Sequence, residues 1–257
     1  MKMEKLYGLV GYPLGHSFSA RFFTEKFARE GLAAVYRNFE LPDVDDLPRL
    51  VSDEPSLCGL NVTIPHKQGV LRFLSALSPE ARAIGAVNVI RIVRSDGQVR
   101  LEGYNSDVTG FARSIRPLLR PHHRAALVLG TGGASLAVVY ALRRMGLEVL
   151  CVSRTPREGQ IGYADLTADM MATHTVVVNC SPVGMFPNVD RAPAIPYQWL
   201  TPDHLLYDLV YNPEETQFMR LGAERGAVVK NGLEMLHLQA LAAWDIWNGR
   251  PAQGADW

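Results

Sequence analysis

Leu127-Val128-Leu129-Gly130-Thr131-Gly132-Gly133-Ala134-Ser135-Leu136-Ala137 reads as a strand, a glycine turn and the opening of a helix. The apolar run has the bulk of a buried strand. Gly130 permits a tight turn, and Gly132 lets a ligand approach the backbone closely. A helix start offers N–H groups and the positive end of its dipole, so the segment is suited to an anion such as a pyrophosphate. The pattern is G-x-G-G-A-x-x-A, with Ser135 where a third glycine would complete G-x-G-x-x-G.

Strand and helix patterns alternate on both sides of this loop. Toward the C-terminus, 125–129, 148–153, 175–179, 205–209 and 227–229 read as strands, with a helix over 135–145. Toward the N-terminus, 6–10, 34–39 and 59–62 read as strands, with a helix over 19–30 and a weaker one over 44–52. Such alternation implies βαβ units and a mostly parallel sheet. The runs 87–93 and 99–104 flank Asp96-Gly97, a hairpin signal, so the first sheet should be mixed. The polar segment 116–124 looks like a connector, with His122 and His123 solvated. A final apolar helix over 233–248 carries Trp244 and Trp247 as packing residues. The fold class expected is α/β, in two domains: a mixed, mostly parallel N-terminal domain and a Rossmann-like one.

Composition agrees with this and narrows the partners. At 257 residues the chain is comfortable for two domains. Its 26 Lys and Arg balance 26 Asp and Glu, which argues against nucleic acid or a membrane surface as partner. Cys58, Cys151 and Cys180 are odd in number and widely spaced, so neither a disulfide framework nor a metal site is expected. Residues 1–10 are too short and charged for a signal peptide, and no apolar run approaches the ~18 residues of a membrane span. A reducing, cytoplasmic setting is the expectation.

A Rossmann domain that selects NAD places an acid about twenty residues past its glycine loop. Ser153-Arg154-Thr155 stands there instead. Arg154 can stack on adenine and pair with a 2′-phosphate, helped by Thr155, which favours NADP. The alternative is a solvated basic turn.

Polar residues cluster where the N-terminal strands end: Ser17 and Ser19, then Thr63 and Lys67, then Asn88, Asn105 and Asp107. Ligands of open parallel sheets bind at such carboxyl ends. The segment Asn61-Val62-Thr63-Ile64-Pro65-His66-Lys67 reads as a strand followed by proline in the first turn of a helix. Lys67 in that turn gains nothing from the helix dipole and is better placed for chemistry than for stability. His66 reads as a supporting neighbour.

These stretches, together with Gly11 to Ser19 (Gly-Tyr-Pro-Leu-Gly-His-Ser-Phe-Ser), Gly85-Ala86-Val87-Asn88, Gly103-Tyr104-Asn105-Ser106-Asp107, Asn179-Cys180-Ser181-Pro182-Val183-Gly184-Met185, Asp208-Leu209-Val210-Tyr211-Asn212-Pro213 and Asn231-Gly232-Leu233-Glu234-Met235-Leu236-His237-Leu238-Gln239, resemble the shikimate dehydrogenase family over nearly the whole chain. The resemblance implies a substrate domain of residues 1–107 completed by 233–257, and an NADP-binding domain of residues 108–232. It implies Ser17 and Ser19 on a substrate carboxylate, and Thr63, Asn88, Gln239 and Tyr211 around ring hydroxyls. Lys67 and Asp107 become the catalytic pair. Gly130, Thr131, Gly132, Gly133, Ala134, Ser135, Ser153, Arg154, Thr155, Met185 and Gly232 become cofactor contacts. The implied activity is NADP-dependent, reversible reduction of 3-dehydroshikimate to shikimate, on the route to chorismate and the aromatic amino acids, by a monomer or homodimer. Leu136, Val108 and Ser153 depart from residues common in the family. The alternatives are a quinate/shikimate dehydrogenase using NAD or NADP, and a non-catalytic nucleotide-binding regulatory module of the same fold. Folate-type methylene dehydrogenases share a similar architecture, but the paired serines fit a carboxylated polyol better.

Overall fold

Residues 4–15 and 18–250 are described by a computed structural model. They form two units, one reaching Ser106 and resuming at Ala240, the other running from Asp107 to Gln239. Among the described residues each unit is built on one six-stranded sheet.

In the first unit, β1 (Lys5–Gly11), α1 (Phe18–Arg29), β2 (Ala34–Glu40), α2 (Leu47–Asp53) and β3 (Leu57–Val62) follow the expected alternation. The short β4 (Ala76–Leu77) and α3 (Pro79–Ile84) lead into the hairpin of β5 (Val89–Ser95) and β6 (Gln98–Tyr104). The sheet order is β2-β1-β3-β5-β6-β4. β1 is parallel to both neighbours, while β5 is antiparallel to β3 and β6, so the sheet is mixed as expected. Asp96 and Gly97 both have positive φ, 53° and 72°, the conformation a two-residue hairpin turn requires.

β1 is covered on both faces, as a central parallel strand must be. Leu6 and Val10 enter one core, and Tyr7 and Leu9 enter another. The second core is aromatic: Tyr7 lies 4.9 Å from Trp247 and 5.5 Å from Trp244 by ring centroids, and Phe23 lies 5.0 Å from Trp247. Full burial of a side chain such as Phe23 contributes about 1.5–3 kcal/mol. Both tryptophans belong to the long helix α8 (Leu233–Trp247), and the Trp247 Nε1–H donates to the Ile90 carbonyl at 3.1 Å.

The second unit runs through α4 (Asp107–Ile115), β7 (Ala125–Leu129), α5 (Gly133–Arg144), β8 (Glu148–Val152), β9 (Gln160–Ile161), α6 (Ala168–Thr173), β10 (Val176–Asn179), β11 (Leu205–Asp208), α7 (Gln217–Ala223) and β12 (Val228–Lys230). Its sheet is wholly parallel in the order β12-β11-β10-β7-β8-β9. Numbered from β7, this is the doubly wound order in which the chain changes direction between β7 and β10. α4 crosses the start of α8 closely: a Cβ on Gly110 would stand 2.6 Å from the Met235 carbonyl. The connector departs from expectation at His123, which is buried although His122 is exposed. Its Nδ1 accepts the Arg120 N–H and its Nε2 donates to the Asp203 carbonyl, and burial pushes its pKa down. Among the described residues no helix is long and apolar enough to cross a membrane.

Gly59 is what lets the indole of Trp247 lie on β3, since a Cβ there would stand 2.3 Å from Trp247 Cδ1. Gly59→Ala is therefore expected to cost about 1–3 kcal/mol through overpacking. Urea unfolding measures it, and an unchanged midpoint would contradict this packing.

Candidate active site

In the first unit the candidate residues gather where β1, β3 and β6 end. Thr63 continues the ladder, its N–H donating to the Val10 carbonyl at 2.8 Å. Residues 64–68 then form a turn, followed by a 3-10 segment, Gly69–Phe73. This corrects the expectation for Lys67, which lies in the turn and not in the first turn of a helix. The reason is where the carbonyls go. Thr63 O accepts the His66 N–H at 2.9 Å, an i to i+3 closure, and Lys67 O accepts the Val87 N–H at 2.8 Å. The Leu71 N–H, which an α-helix would give to the Lys67 carbonyl, goes instead to the Gln68 carbonyl at 3.2 Å. Lys67 and Thr63 are half-buried. His66 is buried, with Nε2 2.6 Å from the Leu41 carbonyl, so its ring supports the turn from beneath.

Asn88 ties this turn to the end of β6. Its backbone accepts from Val62 N–H at 2.8 Å and donates to Tyr104 O at 3.1 Å. Its Oδ1 accepts the Ser106 N–H at 2.6 Å, and its Nδ2 donates to Ser106 Oγ at 3.0 Å. Asn105 Nδ2 donates to the Ala86 carbonyl at 3.0 Å. Ser19 sits half-buried in the first turn of α1. The hydroxyl of Tyr36, on β2, donates to Asn61 Oδ1 at 2.8 Å. Ser17 lies outside the described residues.

In the second unit Asp107 opens α4, where a carboxylate meets the positive end of the helix dipole. Gln239 is buried on α8, with Nε2 donating to the Leu236 carbonyl. Tyr211 is exposed at its edge, and partial burial pushes its hydroxyl pKa up.

The glycine loop has the geometry that an anion site needs. Gly130 has φ +97°, and its N–H donates to the Val152 carbonyl. Gly132 is the N-cap of α5 and has no side chain to close the first turn. A Cβ built on Gly132 meets nothing within 4 Å, so the space over the helix start is open. Thr131 is exposed, and Gly133 and Ala134 are half-exposed beside it. Ser135 differs: it is buried, and its Oγ donates to the Gly132 carbonyl at 2.6 Å, holding the loop's own shape. After β8, Ser153 Oγ accepts the Thr155 N–H, and Arg154 and Thr155 are exposed. This donor set fits a dinucleotide bearing an extra phosphate: an open, uncapped helix start, and an exposed guanidinium where an acid would otherwise stand.

Two residues quoted in the motifs above, but given no role there, prove central. Asn179 and Asp208 end β10 and β11 and are fully buried. Asp208 accepts from Asn179 Nδ2 at 2.9 Å, Thr216 Oγ1 at 2.6 Å and Val210 N–H at 3.0 Å. Asn179 Oδ1 accepts both the N–H and Oγ of Ser181. Burial pushes the Asp208 pKa to about 6, against the pull of these donors. The network fixes the loop that reaches the exposed Met185, and that loop abuts the glycine loop: a Cβ on Gly130 would lie 3.2 Å from Ser181 N. Gly232 packs on the Leu209 backbone, where a Cβ would lie 2.1 Å from the Leu209 carbonyl oxygen.

Comparison with known proteins bears on this geometry. The family model described as the shikimate dehydrogenase substrate binding domain matches residues 9–90. The NADP(+) shikimate dehydrogenase of Desulforamulus reducens is 39% identical, over 94% of this chain and 89% of its own. The structure of shikimate 5-dehydrogenase from Thermus thermophilus in complex with NADP(H) and shikimate is 32% identical, with a TM-score of 0.82 over 95% of this chain and 94% of that one. A quinate dehydrogenase from Corynebacterium glutamicum in complex with NAD is 29% identical, with a TM-score of 0.83 over 96% and 94%.

Asp208 gives this site a pH signature. The folded protein holds its proton more tightly than the unfolded chain, whose ordinary value is 3.8 against about 6 in the fold. Wild type should therefore lose stability relative to Asp208→Asn as pH rises from about 4 to about 6, and lose no more above that. Two pKa units correspond to about 3 kcal/mol at most. Denaturant midpoints of both proteins at several pH values measure it; a pH-independent difference would contradict it.

Proposed function

Because the chain belongs to the shikimate dehydrogenase family, we propose that it catalyses the reversible, NADP-dependent reduction of 3-dehydroshikimate to shikimate. One observation carries the reading: Thr63 and Lys67 stand half-buried on a turn at the carboxyl end of β3, held from Asn88 and Val87. The substrate domain is residues 1–107 with 233–257, the cofactor domain 108–232, and the enzyme acts on free small molecules in the cytoplasm as a monomer or homodimer.

Ser17 and Ser19 donate to the substrate carboxylate. Thr63, Asn88, Gln239 and Tyr211 orient the ring hydroxyls. Lys67, as the neutral amine, takes the proton of the reacting hydroxyl while its carbon gives up hydride, and returns that proton in the reverse direction. Asp107 stabilises the ammonium so formed. NADP, when bound, supplies the hydride acceptor. Gly130, Thr131, Gly132, Gly133, Ala134 and Ser135 would hold its pyrophosphate, Ser153, Arg154 and Thr155 its adenosine, and Met185 and Gly232 would border the rest.

Mixing the protein with shikimate or quinate and NADP or NAD, and following reduced nicotinamide absorbance, tests the reading. The fastest pair is expected to be shikimate with NADP. Quinate with NAD as the better pair would favour the alternative seen in the quinate dehydrogenase relative, and no signal with any pair would favour a binding module. Lys67→Met should lose about 10²- to 10⁴-fold in kcat with the shikimate Kd within a few-fold; near-normal turnover removes Lys67 from the chemistry. Gly132→Ala should leave the thermal midpoint unchanged, because its Cβ meets open space, yet weaken NADP at least tenfold, about 1.4 kcal/mol. Unchanged NADP affinity would move the pyrophosphate elsewhere.

A further inference from the structure

We propose that Glu40 is a positioning residue for carboxylate recognition: by holding the Leu14 N–H it ties the segment that leads to Ser17 and Ser19 to the turn that bears Lys67. This rests on the reading that the two serines meet the substrate carboxylate.

Glu40 ends β2, and its carboxylate Oε1 accepts the Leu14 N–H at 2.8 Å. The two residues are 26 apart in sequence, so the end of β2 and not the local chain decides where Leu14 stands. A backbone N–H given to a charged acceptor makes a stronger bond than one given to a carbonyl. Leu14 also packs its side chain on the aromatic core of the unit, as Phe18 does at the start of α1. Ser19 is the next residue of that helix. A hydrogen bond and an apolar contact therefore fix the chain just before α1 opens.

The residue after Glu40 holds the other half of the site. The Leu41 N–H donates to the Gly11 carbonyl at 3.1 Å, and the Leu41 carbonyl lies 2.6 Å from His66 Nε2, in the turn bearing Lys67. The Tyr12 N–H donates to the Ile64 carbonyl at 3.1 Å. The two segments also converge on Gly11, where a Cβ would stand 2.8 Å from Leu14 Cδ2 and 2.4 Å from Thr63 Cγ2. The end of β2 thus acts as a strut. Through Glu40 it holds the segment leading to the serines, and through Leu41 it holds the turn of Thr63 and Lys67. Removing the Glu40 carboxylate takes the acceptor from Leu14 but leaves the Lys67 turn its bonds to Leu41 and Val87. The loss then falls on substrate binding, because a segment no longer held in place must be ordered when the ligand arrives.

Glu40 is exposed, so Glu40→Ala leaves the cores intact and should fold as wild type does. The expected result is a shikimate KM raised about fivefold, about 1 kcal/mol, with kcat and the NADP KM changed by less than about twofold. Glu40→Gln keeps a side-chain oxygen that accepts the Leu14 N–H, and should return the KM to within about twofold of wild type. A glutamine variant as weak as the alanine one would overturn the proposal, since the charge and not the bond would then matter. The methyl ester of shikimate, which lacks the anion, should bind wild type and Glu40→Ala alike. Wild type binding ester and acid equally well would overturn the serine–carboxylate reading itself. Wild type preferring the acid, with Glu40→Ala preferring it as strongly, would overturn the role of Glu40 alone.

Discussion

Asn88 uses both its backbone and its side chain to join three segments that would otherwise end separately. Its carbonyl closes the end of β3, its N–H closes the end of β6, and its amide holds both the N–H and the hydroxyl of Ser106. The Val87 N–H beside it is given to the Lys67 carbonyl. The turn bearing Thr63 and Lys67 and the residue that precedes Asp107 are therefore set by one buried junction. Truncating the amide would orphan the buried Ser106 N–H, a loss of about 1–3 kcal/mol. Thr63 and Lys67 inherit their positions from these bonds and not from local helix geometry.

The second unit meets the same constraint differently. Parallel strands leave backbone groups unpaired at their carboxyl ends, and here a buried acid gathers them. Asp208 takes the Val210 N–H and the side chains of Asn179 and Thr216, and Asn179 passes the order on to Ser181. The glycine loop then fits against that loop because Gly130 has no Cβ. A carboxyl kept in such a place is costly to ionise. Asp208 ends β11, beside β10, and through Asn179 it shapes the loop that lies against the glycine loop at the switch between β7 and β10.

Much of this was legible in the sequence, and the exceptions share a cause. The apolar runs located the long strands within a residue or two, Asp96-Gly97 announced the hairpin, and Gly130 to Gly133 announced the open helix start. Lys67 was misplaced because Pro65 suits a helix start, whereas the partner that claims the Lys67 carbonyl is Val87, twenty residues away. The buried His123 and the Tyr36–Asn61 bond are likewise tertiary. The short α3, α6 and α7 are too brief to show a period, although each carries a cap: Ser78 accepts the Ala81 N–H, Thr167 that of Met170 and Thr216 that of Met219. Asn179 and Asp208 were visible as polar ends of apolar strands, but nothing in the order of residues announces that they pair.

Amide hydrogen exchange of the ligand-free protein tests most directly whether the Asn88 junction stands before any ligand arrives. The N–H groups of Val62, Val87, Asn88 and Ser106 each have a named acceptor. They should exchange as slowly as the interior amides of β5, and gain little further protection when shikimate and NADP are added. Exchange at the rate of exposed loops, with protection arising only on ligand addition, would show that the ligand builds the junction and would contradict the account.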